Sequence, residues 1–186
     1  MARTLAQAPS YQCIIEWGSG GGANVVHFAL KSNEYYGVDI YEPSLAECCK
    51  QLELKDFKGF TPVCINASEP ETAKQQIPPN CDLFLYLYVF EIFMTPEYGL
   101  RIMQIAYDIL KTGGLAFIQI RYITPSWESK PRRWKYSKNL TGMTSYRIDE
   151  FWEAAQSIGL SQKVIKLLPK QELNSGDRYA YYLLHK

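Results

Sequence analysis

Glu16, Gly18, Gly20 and Gly22 stand at alternate positions in the run IIEWGSGGGAN, residues 14–24. The run reads as a short apolar strand, an acid, a glycine-rich turn and the start of a helix. Glycine reaches backbone conformations closed to other residues. It also removes the side chains that would hold a ligand away from the main chain. A helix starting after such a turn offers free N–H groups and the positive end of its dipole. The chemistry this arrangement suits is the cradling of a nucleotide-like ligand.

Two ligand classes fit the glycines. Gly18, Gly20 and Ala23 match a dinucleotide fingerprint, and Asp39 follows at the distance of an acid that binds a ribose hydroxyl pair. Glu16 weighs against a dinucleotide, because a carboxylate repels a pyrophosphate and suits a ligand with a positive end.

The pattern Glu16-x-Gly18-x-Gly20-x-Gly22 resembles the first motif of the class I S-adenosylmethionine-dependent methyltransferases. That resemblance implies an acid near the methionine end of the cofactor. Gly18, Ser19, Gly20 and Gly22 would lie beneath it. Gly37-Val38-Asp39-Ile40 looks like the family's second motif, with Asp39 on the ribose hydroxyls and Ile40 beside it. Asn66 and Ala67 occupy the place of the adenine contact. The segment 81–86 looks like the fourth-strand motif, where a main-chain carbonyl near Tyr86 would meet the cofactor's amino group. The segment 110–115 looks like the helix end before strand five. The likeness runs from about residue 11 to 185. Trp17 departs from it, since the family usually has a small or aliphatic residue there.

The elements that must position these residues follow the same order. Strands are expected at 11–17, 35–40, 60–65, 81–90 (running into a loop) and 115–122. Helices are expected at 24–31, 43–54, 69–76 and from 96 until Gly113 and Gly114 stop it, with Thr95 as N-cap and Pro96 first. This alternation implies a parallel sheet covered on both faces, with ligands at the carboxyl ends of the strands. The tail predicts a helix at 148–158, then strands at 161–168 and 178–184 that pair antiparallel. The expected fold is α/β, doubly wound and Rossmann-like in three layers. Its seven-stranded sheet is mostly parallel, with the last strand antiparallel.

Residues 1–10 read as a flexible segment and 11–186 as one methyltransferase-like domain. The family resemblance implies N-terminal helices that cover the site, and few residues precede strand one here; the cover is expected to be absent, leaving an open site for a bulky substrate, or removed, or supplied by a second copy or a partner protein. Residues 123–146 form a long polar connection that suits a substrate or lid loop. Within it, KPRRWKYSK (130–138) interleaves cations with aromatic rings. It suits phosphate, a stacked base or an acidic carrier, or simply a solvated loop.

Acceptor-side chemistry falls to residues after strands four and five. Tyr88 and Tyr86 suit orientation of an acceptor or contact with a sulfonium face, and equally suit plain packing. Glu91 offers a carboxylate or a cap. Arg121 suits a substrate carboxylate or phosphate, or an ion pair at the sheet end. These make Tyr88, Glu91 and Arg121 the catalytic candidates. Methyl transfer needs alignment first and a general base only optionally. The chain has 2 histidines, His27 and His185, so no metal site is expected.

A formal net charge of +1 gives no general attraction to nucleic acid or membrane. No apolar run approaches the ~20 residues of a membrane span, and the first residues lack a secretory segment. The 5 cysteines show no zinc or disulfide spacing, and reduced thiols in a cytoplasmic protein are expected. The expected function is methyl transfer from S-adenosylmethionine to an oxygen or nitrogen of a small or carrier-tethered acceptor. The alternatives are a non-catalytic module of the same fold, a nucleic-acid methyltransferase using the 130s loop, and a nicotinamide-dependent dehydrogenase.

Overall fold

The computed structural model describes residues 11–93, 95–131, 144–168 and 178–186. The N-terminal segment and most of the basic 130s stretch lie outside the described residues.

Strand β1 (Tyr11–Trp17) is buried from Cys13 onward, because both faces of the sheet are covered there. It pairs in parallel with β2 (Ser32–Asp39) on one side and β4 (Cys81–Tyr86) on the other. β3 (Phe60–Cys64) flanks β2, and β5 (Leu110–Arg121) flanks β4, again in parallel. β7 (Tyr179–His185) runs antiparallel between β5 and β6 (Ser161–Leu167). The sheet order is β3-β2-β1-β4-β5-β7-β6. The carboxyl ends of β1, β2, β3, β4 and β5 therefore share one edge, where ligands bind in such sheets.

Two apolar cores lie on opposite faces. Helix α1 (Val25–Phe28, continued by a 3-10 turn at Ala29–Lys31) and α2 (Glu42–Glu53) cover one face. There Val25, Ala29, Cys48 and Leu52 meet Ile14, Tyr35, Leu83 and Leu85. Helices α3 (Pro96–Ile109) and α4 (Ile148–Ile158) cover the other, with a 3-10 turn at Pro70–Gln75. There Ile102, Ile105, Phe151 and Ala155 meet Ile15, Phe84, Ile118 and Tyr182. Removing one such ring, as in Phe84→Ala, costs about 3–5 kcal/mol.

The end of α3 and the state of the cysteines differ from expectation. α3 ends at Ile109, and β5 starts at once with Leu110, which pairs with Cys81. Gly113 and Gly114 do not stop a helix. They lie where the β4–β5 register shifts, and their main chains bond to Lys186. Burial of Leu110 against β4 outweighs its helix propensity.

The cysteines are not all the reduced thiols expected. Cys13 and Cys81 form a disulfide, while Cys48, Cys49 and Cys64 are free. The partners are 68 residues apart in sequence. Only the β1–β4 pairing brings them together. Among the described residues, no helix is long and apolar enough to cross a membrane.

Candidate functional site

At the end of β1 the chain turns through Gly18 and Ser19, whose N–H groups both donate to the Val38 carbonyl of β2, at 2.7 and 3.1 Å. Gly18 holds φ +75°, and a Cβ there would sit 2.3 Å from Val89 Cγ2. Only glycine lets the segment after β4 approach the turn this closely.

Asp39 ends β2 and faces the same turn. Its Oδ2 accepts from the Gly20 N–H at 2.9 Å, and its Oδ1 accepts from the Tyr41 N–H at 3.0 Å. Each carboxylate oxygen keeps a lone pair for a further donor.

These groups border a cleft of about 530 Å³ across the carboxyl edge of the sheet. β1 and its turn contribute Trp17 and Gly18, and β2 contributes Asp39 and Ile40. The segment after β3 adds Ile65 and Ala67, and the segment after β4 adds Tyr88, Val89, Ile92 and Phe93. Thr95 and Tyr98 close it at the head of α3. Tyr98 donates its hydroxyl to the Ala67 carbonyl at 2.8 Å and packs its ring 4.6 Å from Phe93. Thr95 occupies the N-cap position without a side-chain bond to the helix. The size and the mostly apolar wall suit a small organic ligand.

Of the residues expected to bind or act, the structure brings Gly18, Asp39, Ile40, Ala67 and Tyr88 together at this cleft. Gly20 meets it through its bond to Asp39. Gly22 packs against Cys48 behind the turn. Ser19 is buried, and its hydroxyl finds no hydrogen-bond partner among the described residues. Asn66 accepts from the N–H and hydroxyl of Ser68, at 3.0 and 2.9 Å, and so shapes the loop that carries Ala67.

Glu16 lies elsewhere than expected. Neighbours on a strand point to opposite faces. With Trp17 at the cleft, Glu16 turns toward the α1 and α2 face. It is 1% exposed and accepts from Tyr35 Oη at 2.7 Å and Asn24 Nδ2 at 2.8 Å. Burial pushes its carboxyl up to about 7, against the downward pull of those two hydrogen bonds. Its observed work is to fasten the start of α1 and the body of β2 to β1, which fixes the turn.

Tyr86 is fully buried among Phe84, Phe90 and Phe93 and does not line the cleft with its side chain. Burial raises its hydroxyl well above the ordinary tyrosine range. Glu91 and Arg121 are also buried and do not line the cleft. The Glu91 carbonyl accepts from the Thr144 N–H at 3.2 Å, and Arg121 Nη1 donates to Ser145 Oγ at 2.7 Å. Both hold the chain before α4 against the sheet, because Tyr146 returns to pair with Arg121 and Tyr122.

Tyr88 is different. It is 55% exposed, holds φ +59°, and sits at the cleft with its hydroxyl 3.2 Å from that of Tyr181. Sequence reasoning missed the apolar walls Ile65, Ile92, Phe93 and Tyr98. Their only signal was position, just past β3 and β4 on the ligand-bearing edge. Among the described residues, no group of His, Cys, Asp and Glu is placed to hold a metal ion.

A glycine turn after β1, an acid at the end of β2 and a cleft along this strand order define a class I S-adenosylmethionine-dependent methyltransferase. The chain belongs to the family described as "Methyltransferase domain", whose model matches residues 15–118, more than half of the 186. No curated protein sequence matches it.

Similar solved structures include an S-adenosylmethionine-dependent methyltransferase from Methanosarcina mazei, with 13% identity and TM-score 0.69, covering 96% of this chain and 93% of that one. A TehB-like S-adenosylmethionine-dependent methyltransferase from Corynebacterium glutamicum has 15% identity and TM-score 0.65, covering 97% and 83%. A 1,6-didemethyltoxoflavin N1-methyltransferase from Burkholderia thailandensis has 14% identity and TM-score 0.72, covering 96% and 72%; its structure holds S-adenosylhomocysteine. The protein is an enzyme of this class, and its cofactor is S-adenosylmethionine.

Proposed function

We propose that the enzyme methylates an oxygen or nitrogen of a small-molecule or carrier-tethered acceptor, with the cofactor held in the cleft between Gly18 and Tyr98. The observation that carries this reading is the convergence of Gly18, Asp39 and Tyr88 on one cleft of about 530 Å³. Asp39 has lone pairs to receive the ribose hydroxyls. Ile40, Ile65, Ala67 and Phe93 offer an apolar slot for a base. The Gly18 turn admits a ligand against the main chain.

S-adenosylmethionine supplies an already activated methyl group, so the protein's task is alignment and exclusion of water. The Tyr88 ring offers its face to a sulfonium, and its hydroxyl can orient the acceptor. Trp17 and Val89 close the cleft beside the turn. The structural neighbour named for a toxoflavin precursor supports a small acceptor in this fold.

The test is mass spectrometry of a panel of hydroxyl and amine acceptors, free and carrier-tethered, incubated with the enzyme and trideuteromethyl-labelled S-adenosylmethionine. Labelled methyl appearing on oxygen or nitrogen of one acceptor class is the expected result. Cofactor binding with no transfer across the panel would replace the enzyme reading with a binding module.

A further inference from the structure

Gln119 is fully buried, and among the described residues neither its amide oxygen nor its amide nitrogen finds a hydrogen-bond partner. Such an amide leaves up to two donors and two acceptor lone pairs unused. An unsatisfied buried polar group is costly and rare in native proteins. Leucine or methionine would fill the same space without that cost, so the amide holds hydrogen-bonding capacity that a ligand can use.

Its surroundings say which ligand. On β5, Ala116, Ile118 and Ile120 face the α3 and α4 core. Alternation puts Phe117, Gln119 and Arg121 on the opposite face. Across the β5–β7 pairing, Gln119 stands opposite Tyr181 and Arg121 opposite Tyr179. Tyr88 reaches from the end of β4 to both of those β7 tyrosines. Its hydroxyl meets Tyr181 at 3.2 Å, and its ring meets Tyr179 edge-on at 5.8 Å. Because β5 lies between β4 and β7, the Tyr88 side chain bridges over the stretch that carries Gln119. Tyr181 in turn stacks on Phe117 at 5.7 Å. The amide therefore lies beneath aromatic rings, and one of them, Tyr88, also lines the cofactor cleft.

We propose that Gln119 is the recognition residue for the acceptor, and that the acceptor is a planar heterocycle presenting a cyclic amide or imide edge. Tyr88 is the gate. Half-exposed, and held by the Tyr181 hydroxyl and the edge of the Tyr179 ring, it swings aside and uncovers Gln119 to the cofactor cleft. The flat ring then lies against Tyr181 and Phe117. Its adjacent N–H and C=O make the paired hydrogen bonds that Gln119 lacks. This rests on the cleft being the methyl-transfer site.

The test uses the whole protein with S-adenosylhomocysteine present, titrated with quinazoline-2,4-dione and with its 1,3-dimethyl derivative, whose N–H donors are capped. Binding is followed by ligand-observed NMR. The dione should bind at least about tenfold more tightly than the capped form, the worth of a well-made hydrogen bond. Gln119→Met should abolish that preference without lowering the melting temperature. Tyr88→Gly should let the dione associate faster by removing the gate.

A preference that survives Gln119→Met overturns the proposal. So does absence of dione binding in both wild type and Tyr88→Gly, or a clear fall in melting temperature in Gln119→Met, which would make the amide structural. S-adenosylhomocysteine affinity, measured on the same samples, reports on the cofactor reading separately. Its loss with the dione preference intact would sink that reading alone.

Discussion

Glu16→Gln should make the protein more stable at pH 8 and leave it unchanged near pH 4. The carboxyl is buried beneath α1, where losing water penalises its charged form. Its half-protonation point moves from the ordinary 4.5 up to about 7. The sign follows from linkage. Between those two values the folded chain keeps a proton that the unfolded chain releases, so stability falls as pH rises. The group's favourable contribution is complete below about 4.5 and is lost as pH rises through about 7. The full change is about 3 kcal/mol. Glutamine imitates the protonated acid. It is neutral and nearly the same size, its oxygen still accepts from Tyr35, and its NH2 donates to Asn24 once that side chain turns to present its oxygen. Urea unfolding of wild type and variant, from pH 4 to pH 8.5, reads the difference directly. The curves should meet at the acid end and separate to about 3 kcal/mol in favour of the variant at the alkaline end. S-adenosylhomocysteine affinity should change by less than about threefold, because Glu16 holds the turn rather than the ligand. A variant less stable than wild type at pH 8 would refute the burial argument. A loss of cofactor affinity above about tenfold would mean that the carboxylate does reach the ligand.

Gly18→Ala should weaken S-adenosylhomocysteine binding by more than about tenfold and cost about 1–3 kcal/mol of stability, as calorimetry and thermal melts would show. Part of both should return with Val89→Ala, since the new Cβ lands 2.3 Å from Val89 Cγ2. Asp39→Ala should lower cofactor affinity by about tenfold or more in equilibrium binding while the far-ultraviolet circular dichroism stays native. Thiol titration in denaturant without reductant should find Cys48, Cys49 and Cys64 only, and all 5 cysteines after reduction.

The fold was largely legible because its elements announce themselves locally. β1 and α4 fall at the expected residues, 11–17 and 148–158. One is an apolar run closed by glycines, and the other is a strongly amphipathic stretch stopped at Gly159. The glycine turn and Asp39 stood out by their spacing and Ala67 by the family resemblance, and Gly18, Asp39 and Ala67 line one cleft.

What sequence hid was set by pairing in space. The side chain of Glu16 points away from the cleft because Trp17 points into it, a consequence of pleating that the motif does not state. Arg121 sits at a strand end, yet it is covered because residues 144–146 fold back over it. The start of β5 at Leu110 depends on a contact with Cys81. The disulfide depends on the same neighbourhood of strands. Gln119 is a polar residue in an apolar strand, and nothing local marks its amide as buried and without a partner among the described residues.

The most direct measurement is calorimetric titration of the protein with S-adenosylhomocysteine and, separately, with NAD. One-to-one micromolar binding of S-adenosylhomocysteine and no heat with NAD are expected. Binding of NAD alone would contradict it, and the turn at Gly18 with Asp39 would then be a dinucleotide site.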